Sequence, residues 1–239
     1  IDFHTHVDWK EDRILLKAAF PVDVHSDKAT YEIQFGNVER PTHWNTSWDT
    51  ARFEVCAQKW ADLSEDGYGV SLLNDCKYGH DIRDGQMRLT LLKSGMEPNP
   101  KADRGEHEFT YSLYPHGEDW RTGGTVQMAY RLNVPLYAAI SGANSGGALP
   151  EALSMVRVDC GNVILDTVKK AEDSDAIVIR LYECYNRRSK VELTFFKDLA
   201  EVNECNLMEK PLANVPVEGN HFSFGIRPYE IKTFLLKAK

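Results

Sequence analysis

Cysteine is scarce. Cys56, Cys76, Cys160, Cys184 and Cys205 form an odd, widely spaced set with no C-x-x-C pair. That excludes a disulfide framework or a cysteine zinc knuckle and points to reduced, mostly buried thiols. Positive charge is also in deficit: 28 Lys and Arg face 36 Asp and Glu, for a net charge of −8. Nucleic acid and anionic lipid both demand a basic face, so neither is expected as a partner. No apolar run approaches the roughly 20 residues of a membrane-spanning helix. The opening Ile1-Asp2-Phe3-His4 has no basic or hydrophobic leader region, so no secretion signal is expected there. G-x-S-x-G, Walker A and strand-linked G-x-G-x-x-G motifs are missing, as is any internal repeat. These absences predict a cytoplasmic protein. A first residue other than Met, inside a strand-like pattern, reads as a piece of a longer protein.

What is present is period-two alternation, the signature of half-buried strands. Ile1, Phe3, Thr5, Val7 and Trp9 alternate with Asp2, His4, His6 and Asp8. Further strands are expected at Ile14–Val22, Thr30–Phe35, Phe53–Leu63, Gly69–Leu73, Gln86–Leu92 and Glu108–Tyr114. Others are expected at Ser154–Asp159, Val163–Val168, Ile177–Tyr185, Val191–Phe196 and Tyr229–Leu236. Turn formers such as Glu65-Asp66-Gly67, Arg83-Asp84-Gly85 and Asn186-Arg187-Arg188-Ser189 separate them. The pattern predicts an all-β fold, a large antiparallel sandwich. One short helix is allowed, at Glu118–Leu132. Gly123-Gly124 weakens it, because each glycine costs about 1 kcal/mol against alanine in a helix. The loop Ser141–Gly147 would place a subdomain boundary near residue 145, dividing 1–145 from 146–239.

Several clusters could carry chemistry. His4-x-His6 puts two imidazoles on one strand face, as a zinc pair would need, and a metal-dependent hydrolase is one reading. A barrel of that kind needs alternating strands and helices, which do not follow, so a solvent-facing strand edge is the preferred reading. The stretch Asn74-Asp75-Cys76-Lys77-Tyr78-Gly79-His80-Asp81 follows an apolar strand. It offers either a binding edge or a hydrogen-bonded turn. Trp44 and Trp48, in an aromatic and polar loop, could stack a sugar ring as in an independent carbohydrate-binding module, or serve as core.

Strings along nearly the whole chain, in order, resemble glycoside hydrolase family 38 in its cytosolic and bacterial branch. They include Leu15-Leu16-Lys17-Ala18-Ala19-Phe20-Pro21-Val22, Glu32-Ile33-Gln34-Phe35-Gly36 and Asn37-Val38-Glu39-Arg40-Pro41-Thr42. Also among them are Lys59-Trp60-Ala61-Asp62-Leu63-Ser64, Leu73-Asn74-Asp75-Cys76-Lys77-Tyr78-Gly79, Asp103-Arg104-Gly105-Glu106-His107-Glu108-Phe109 and Arg227-Pro228-Tyr229-Glu230-Ile231-Lys232. The resemblance implies a C-terminal, galactose-mutarotase-like sandwich region of a retaining α-mannosidase. It implies that zinc, the Asp nucleophile and the substrate-holding core belong to an N-terminal catalytic domain absent from these 239 residues. No position here matches the nucleophile or a zinc ligand, so the chain alone is expected to be inactive and to bind no zinc. The implied partners are a mannose-containing oligosaccharide and that catalytic domain. Self-association through an incomplete sheet edge is also expected. The family's loops of this region border the sugar. The matching loops are Asn74–Asp84 and Lys93–Glu106, which flank the strand Gln86–Leu92 and are expected at its opposite ends unless one folds back. The candidate bordering residues are Asn74, Asp75, Lys77, Tyr78, His80, Asp81, Lys93 and Arg104. Lys93 stands where other family branches carry arginine.

Overall fold

The computed structural model describes residues 1–142, 146–147 and 150–239. They fall into two compact units, Ile1–Tyr137 and Ala138–Lys239. The boundary expected near residue 145 falls on Ser145, outside the described residues.

In the first unit the strands are β1 (Asp2–Trp9), β2 (Leu15–Pro21), β3 (Lys28–Ile33), β4 (Gly36–Pro41), β5 (Val55–Cys56), β6 (Trp60–Glu65), β7 (Tyr68–Asn74), β8 (Gly79–Arg83), β9 (Gln86–Lys93) and β10 (Gly105–Gly117). Helices α1 (Ser47–Ala51) and α2 (Thr125–Asn133) complete it. A six-stranded sheet runs β1-β10-β7-β6-β3-β4 and a four-stranded sheet runs β2-β9-β8-β5. Alternation decides which face is which. Ala61 and Leu63 of β6 and Val70 and Leu72 of β7 point inward, against Ile82, Met87, Leu89 and Leu91 of the second sheet. Asp62 and Ser71, one residue out of phase, lie on the opposite face. Ser71 Oγ reaches Thr125 Oγ1 of α2 there, at 2.6 Å.

In the second unit the strands are β11 (Val156–Val158), β12 (Val163–Lys170), β13 (Ile177–Glu183), β14 (Ser189–Phe195), β15 (Leu199–Cys205), β16 (Pro211–Val215), β17 (His221–Ile226) and β18 (Ile231–Ala238). Sheets β11-β14-β17 and β12-β13-β18-β15-β16 share one core of Val191, Leu193, Phe195, Phe222, Phe224, Ile179, Leu181, Phe234 and Leu236. β18 lies inside its sheet between β13 and β15, as its two apolar faces predict. The ladders of both units are antiparallel, so each unit is an antiparallel sandwich.

Three expectations need correction. Among the described residues there are two helices where at most one was expected: Thr46 and Asp49 form a reciprocal capping box that starts the five-residue α1. The second helix begins only at Thr125. Gly124 occupies the left-handed region at φ 75° as its N-cap, so the two glycines lie before the helix instead of inside it. Strands β4, β8, β15, β16 and β17 also go beyond the expected set, and Phe53–Leu63 splits into β5 and β6. β8 escaped because its inward positions are His80 and Ile82, and an imidazole does not read as core.

Candidate functional site

The β8–β9 hairpin determines where the two candidate loops meet. Asp84 and Gly85 both have positive φ, 51° and 67°, the backbone of a two-residue hairpin turn. β8 therefore folds back on β9 with His80 opposite Leu89 and Arg83 opposite Gln86. The chain entering β8 and the chain leaving β9 then lie at the same end of the hairpin, not at opposite ends as expected. The segment Asn74–Asp84 is also not one loop, since Gly79–Arg83 is β8.

Asn74 closes β7 and organises the turn. Its Oδ1 accepts from Lys77 N at 2.7 Å, its Nδ2 donates to Gln58 O at 3.0 Å, and its carbonyl accepts from Asn133 Nδ2 at 2.9 Å. Asp75 continues the ladder toward β10: its N–H donates to Thr110 O at 3.1 Å and its Oδ2 accepts from Thr110 N at 2.8 Å. The other carboxylate oxygen, Oδ1, is buried with no hydrogen-bond partner. Lys77 lays its ammonium over the Phe109 ring, 4.2 Å from the centroid. Tyr78 is 51% exposed, while its carbonyl accepts from Ala57 N. Between Asp75 and Lys77, burial and then the Asp75 carboxylate push the Cys76 thiol up to about 11, so it stays protonated and is a poor nucleophile.

The remaining candidates separate from this group. His80 is fully enclosed in the core, its ring edge-on to Tyr31 and its Nε2 without a partner. Burial holds its pKa down at about 4. Asp81 faces outward on β8 and is gripped by Lys17 and Arg88, each at 2.6 Å. Lys93, at the end of β9, donates its backbone N–H to Asp103 Oδ2 and leaves its side chain exposed. Arg104 is ion-paired to Asp12 through both its Nε and Nη2. The structure thus brings Asn74, Asp75, Lys77 and Tyr78 into one surface turn, with Lys93 and Arg104 on segments at the same end of the hairpin. It sends His80 inside and Asp81 to the outer sheet face.

Two partners of this site were not legible. Phe109 and Thr110 lie more than thirty positions from the turn in sequence, and only the β7–β10 register, with Asn74 opposite Tyr111, brings them there. The His4-x-His6 pair lies on the exposed face of β1, with His4 Nδ1 3.2 Å from Thr110 Oγ1. Among the described residues no group of three or more His, Cys, Asp or Glu is placed to hold a metal ion. A carboxylate oxygen without a partner, a phenol and a lysine at one end of a sandwich can hydrogen-bond hydroxyls of a polar ligand.

Comparison with known proteins places the chain. Residues 1–101 match the family model described as "Glycosyl hydrolases family 38 C-terminal domain". Residues 162–234 match "Glycosyl hydrolases family 38 C-terminal beta sandwich domain". The chain is 42% identical over 241 residues to Alpha-mannosidase 2C1 of Homo sapiens, covering 99% of this chain and 23% of that protein. It is 37% identical over 259 residues to Alpha-mannosidase of Saccharomyces cerevisiae, covering 99% of this chain and 24% of that protein. It therefore spans under a quarter of the length of these relatives. The crystal structure of an alpha-mannosidase from Enterococcus faecalis V583 superposes with a TM-score of 0.84 at 21% identity, over 99% of this chain and 27% of that one, which establishes the shared fold. With two models of one family's C-terminal region spanning most of its length, the chain belongs to glycosyl hydrolase family 38, as part of its C-terminal β region.

Proposed function

We propose that this chain is the C-terminal part of a retaining, zinc-dependent α-mannosidase that hydrolyses terminal α-D-mannosides of oligosaccharides, and that it borders the active site without supplying the reacting groups. The observation that carries this reading is the 42% identity to Alpha-mannosidase 2C1 along 99% of the chain. Retention needs a nucleophilic carboxylate and an acid/base carboxylate about 5–5.5 Å apart. Those groups belong to parts of the protein outside this sequence. Among the described residues no group of three or more His, Cys, Asp or Glu is placed to hold a metal ion, and this reading assigns the zinc ligands to the catalytic part of the enzyme. Five cysteines outside any disulfide suit a reducing, cytoplasmic setting.

The role left to this chain is to shape the rim of the sugar site. Asp75 Oδ1 has no partner, and a buried unsatisfied carboxylate oxygen is costly unless a ligand hydroxyl completes it. Tyr78, three residues on, is half exposed, and the exposed Lys93 closes β9 at the same end of the hairpin. The test is the full-length enzyme with Asp75→Asn, Asp75→Ala and Tyr78→Phe, measured as kcat and KM on a mannoside. A lost charge-assisted hydrogen bond is expected to lower kcat/KM about tenfold or more for both Asp75 variants, with a smaller loss for Tyr78→Phe. Unchanged kinetics in all three, at unchanged stability, would remove this turn from the active site.

A further inference from the structure

At the opposite side of the first sandwich from β1 and β2, the edge strands β4 and β5 leave a gap that the α1 segment partly closes. The gap is a small recess of about 30 Å³ that opens to solvent, lined among others by Arg40, Trp44, Asp49, Arg52, Phe53 and Arg83. Its cations outnumber the carboxylates free to answer them. The Arg40 guanidinium lies 4.7 Å over the Tyr31 ring, and its Nη1 is buried with no hydrogen-bond partner. Neither Arg40 nor Arg52 has a carboxylate oxygen within ion-pairing distance among the described residues. Arg83 stacks 3.7 Å from the Trp44 centroid, and its Nε, though 3.0 Å from Asp84 Oδ2, is not aligned to donate. Asp49, the nearby acid, spends its Oδ2 on Thr46 N and Oγ1 at 3.0 and 2.9 Å. Asp81, also in the lining, is already neutralised by Lys17 and Arg88.

A buried guanidinium nitrogen without an acceptor is a standing cost, and an oxyanion removes it with short charge-assisted bonds. Burial, and to a smaller degree the charge of Arg52, hold the Arg40 pKa below its ordinary value, as expected for a cation lacking a counter-charge. The exposed rings of Trp44 and Phe53 at the mouth suit the apolar face of a pyranose. In a protein of net charge −8, a recess with surplus arginine is a local exception to the general field.

We propose that this recess binds a small sugar through an oxyanion it carries, a phosphate or carboxylate held by Arg40 and Arg52 with the ring against Trp44. The site is separate from the Asn74–Tyr78 turn and does not depend on the mannosidase reading.

The experiment uses the full-length protein and isothermal titration calorimetry at matched ionic strength. The probes are inorganic phosphate, a hexose 6-phosphate, a hexuronate and the uncharged hexose. Saturable binding of at least one sugar anion is expected, tighter than inorganic phosphate, with none for the uncharged hexose. Whichever of the hexose phosphate and hexuronate binds more tightly identifies the oxyanion. Arg40→Gln and Arg52→Gln are each expected to weaken it about tenfold or more. Arg52 is exposed, so its replacement leaves the core untouched. Trp44→Ala should weaken the sugar anion while leaving inorganic phosphate unchanged. Absence of saturable anion binding, or equal affinity in both arginine variants and the parent, would overturn the proposal.

Discussion

His116 and Asp62 form a buried ion pair beneath α2, Nε2 to Oδ2 at 2.7 Å, with side chains only 2% and 1% exposed. Ser71 Oγ donates to the same carboxylate oxygen at 2.7 Å, and Ser64 Oγ donates to the other. Burial alone would lower the His116 pKa. The hydrogen bond and charge of Asp62, helped by the carbonyls of Gly117 and Glu118, outweigh it and raise the pKa above 6.5. A raised folded-state pKa means that the pair's stabilisation is complete below about pH 6.5 and is lost as pH climbs through the folded value. The melting temperature of His116→Gln should therefore lie furthest below the parent at about pH 6 and approach it toward about pH 9. A gap independent of pH would refute a charged His116. His80 behaves in the opposite sense. Burial lowers its pKa from 6.5 to about 4, so the unfolded chain takes up a proton that the folded one refuses. Stability should fall as pH drops from 6.5 toward 4, and His80→Leu should flatten that acid limb, as read from denaturation midpoints at several pH values. The buried role of neither residue is legible in the sequence. A histidine in a string of letters carries no mark of its burial, and the sequence offers His80 only as a candidate bordering the sugar.

At the scale of elements, the Asp62–His116 pair dictates which residues can pack around it. A Cβ built on Gly69 of β7 would run into the His116 ring and Ser64 Oγ, and one on Gly123 would meet the same ring from the turn before α2. Glycine is needed at both positions for close approach, though neither has the positive φ that usually calls for it. Gly69→Ala and Gly123→Ala are each expected to destabilise the first unit by about 1–3 kcal/mol, the usual cost of overpacking a close contact, as measured by urea unfolding. A neutral or stabilising effect would show that the ring can move aside. Gly123 was read from sequence only as a helix weakener. Strand positions, by contrast, were largely legible: β1, β2, β9, β12, β13 and β18 follow the apolar alternation to within a few residues. The short α1 was legible too, in the spacing of Thr46 and Asp49, but the aromatic loop around it drew the reading toward sugar stacking. Trp44 stacks with Arg83 and keeps part of its ring exposed, and Trp48 stays exposed.

At the scale of the whole chain, each unit carries its own closed apolar cluster, one centred on Tyr31, Leu63, Leu72 and Met87, the other on Leu193, Phe222 and Phe234. Residues 138–239 expressed alone should therefore melt in a single cooperative transition with a β-type circular dichroism spectrum. A broad, featureless melt would show that this sandwich needs the rest of the chain. Fold class and family membership were settled by the sequence itself. Period-two alternation is a local property of neighbouring residues, and a long series of matching strings is carried in the letters alone. Tertiary structure alone decided which polar groups are satisfied. Asp75 meets Thr110 from 35 positions away, Asp62 meets His116 from 54, and Arg40 is left with an open nitrogen because the edges of two sheets converge on it. Hydrogen-bond satisfaction depends on strand register and sheet packing, and those are set by the hydrophobic collapse of the whole unit, not by any one segment.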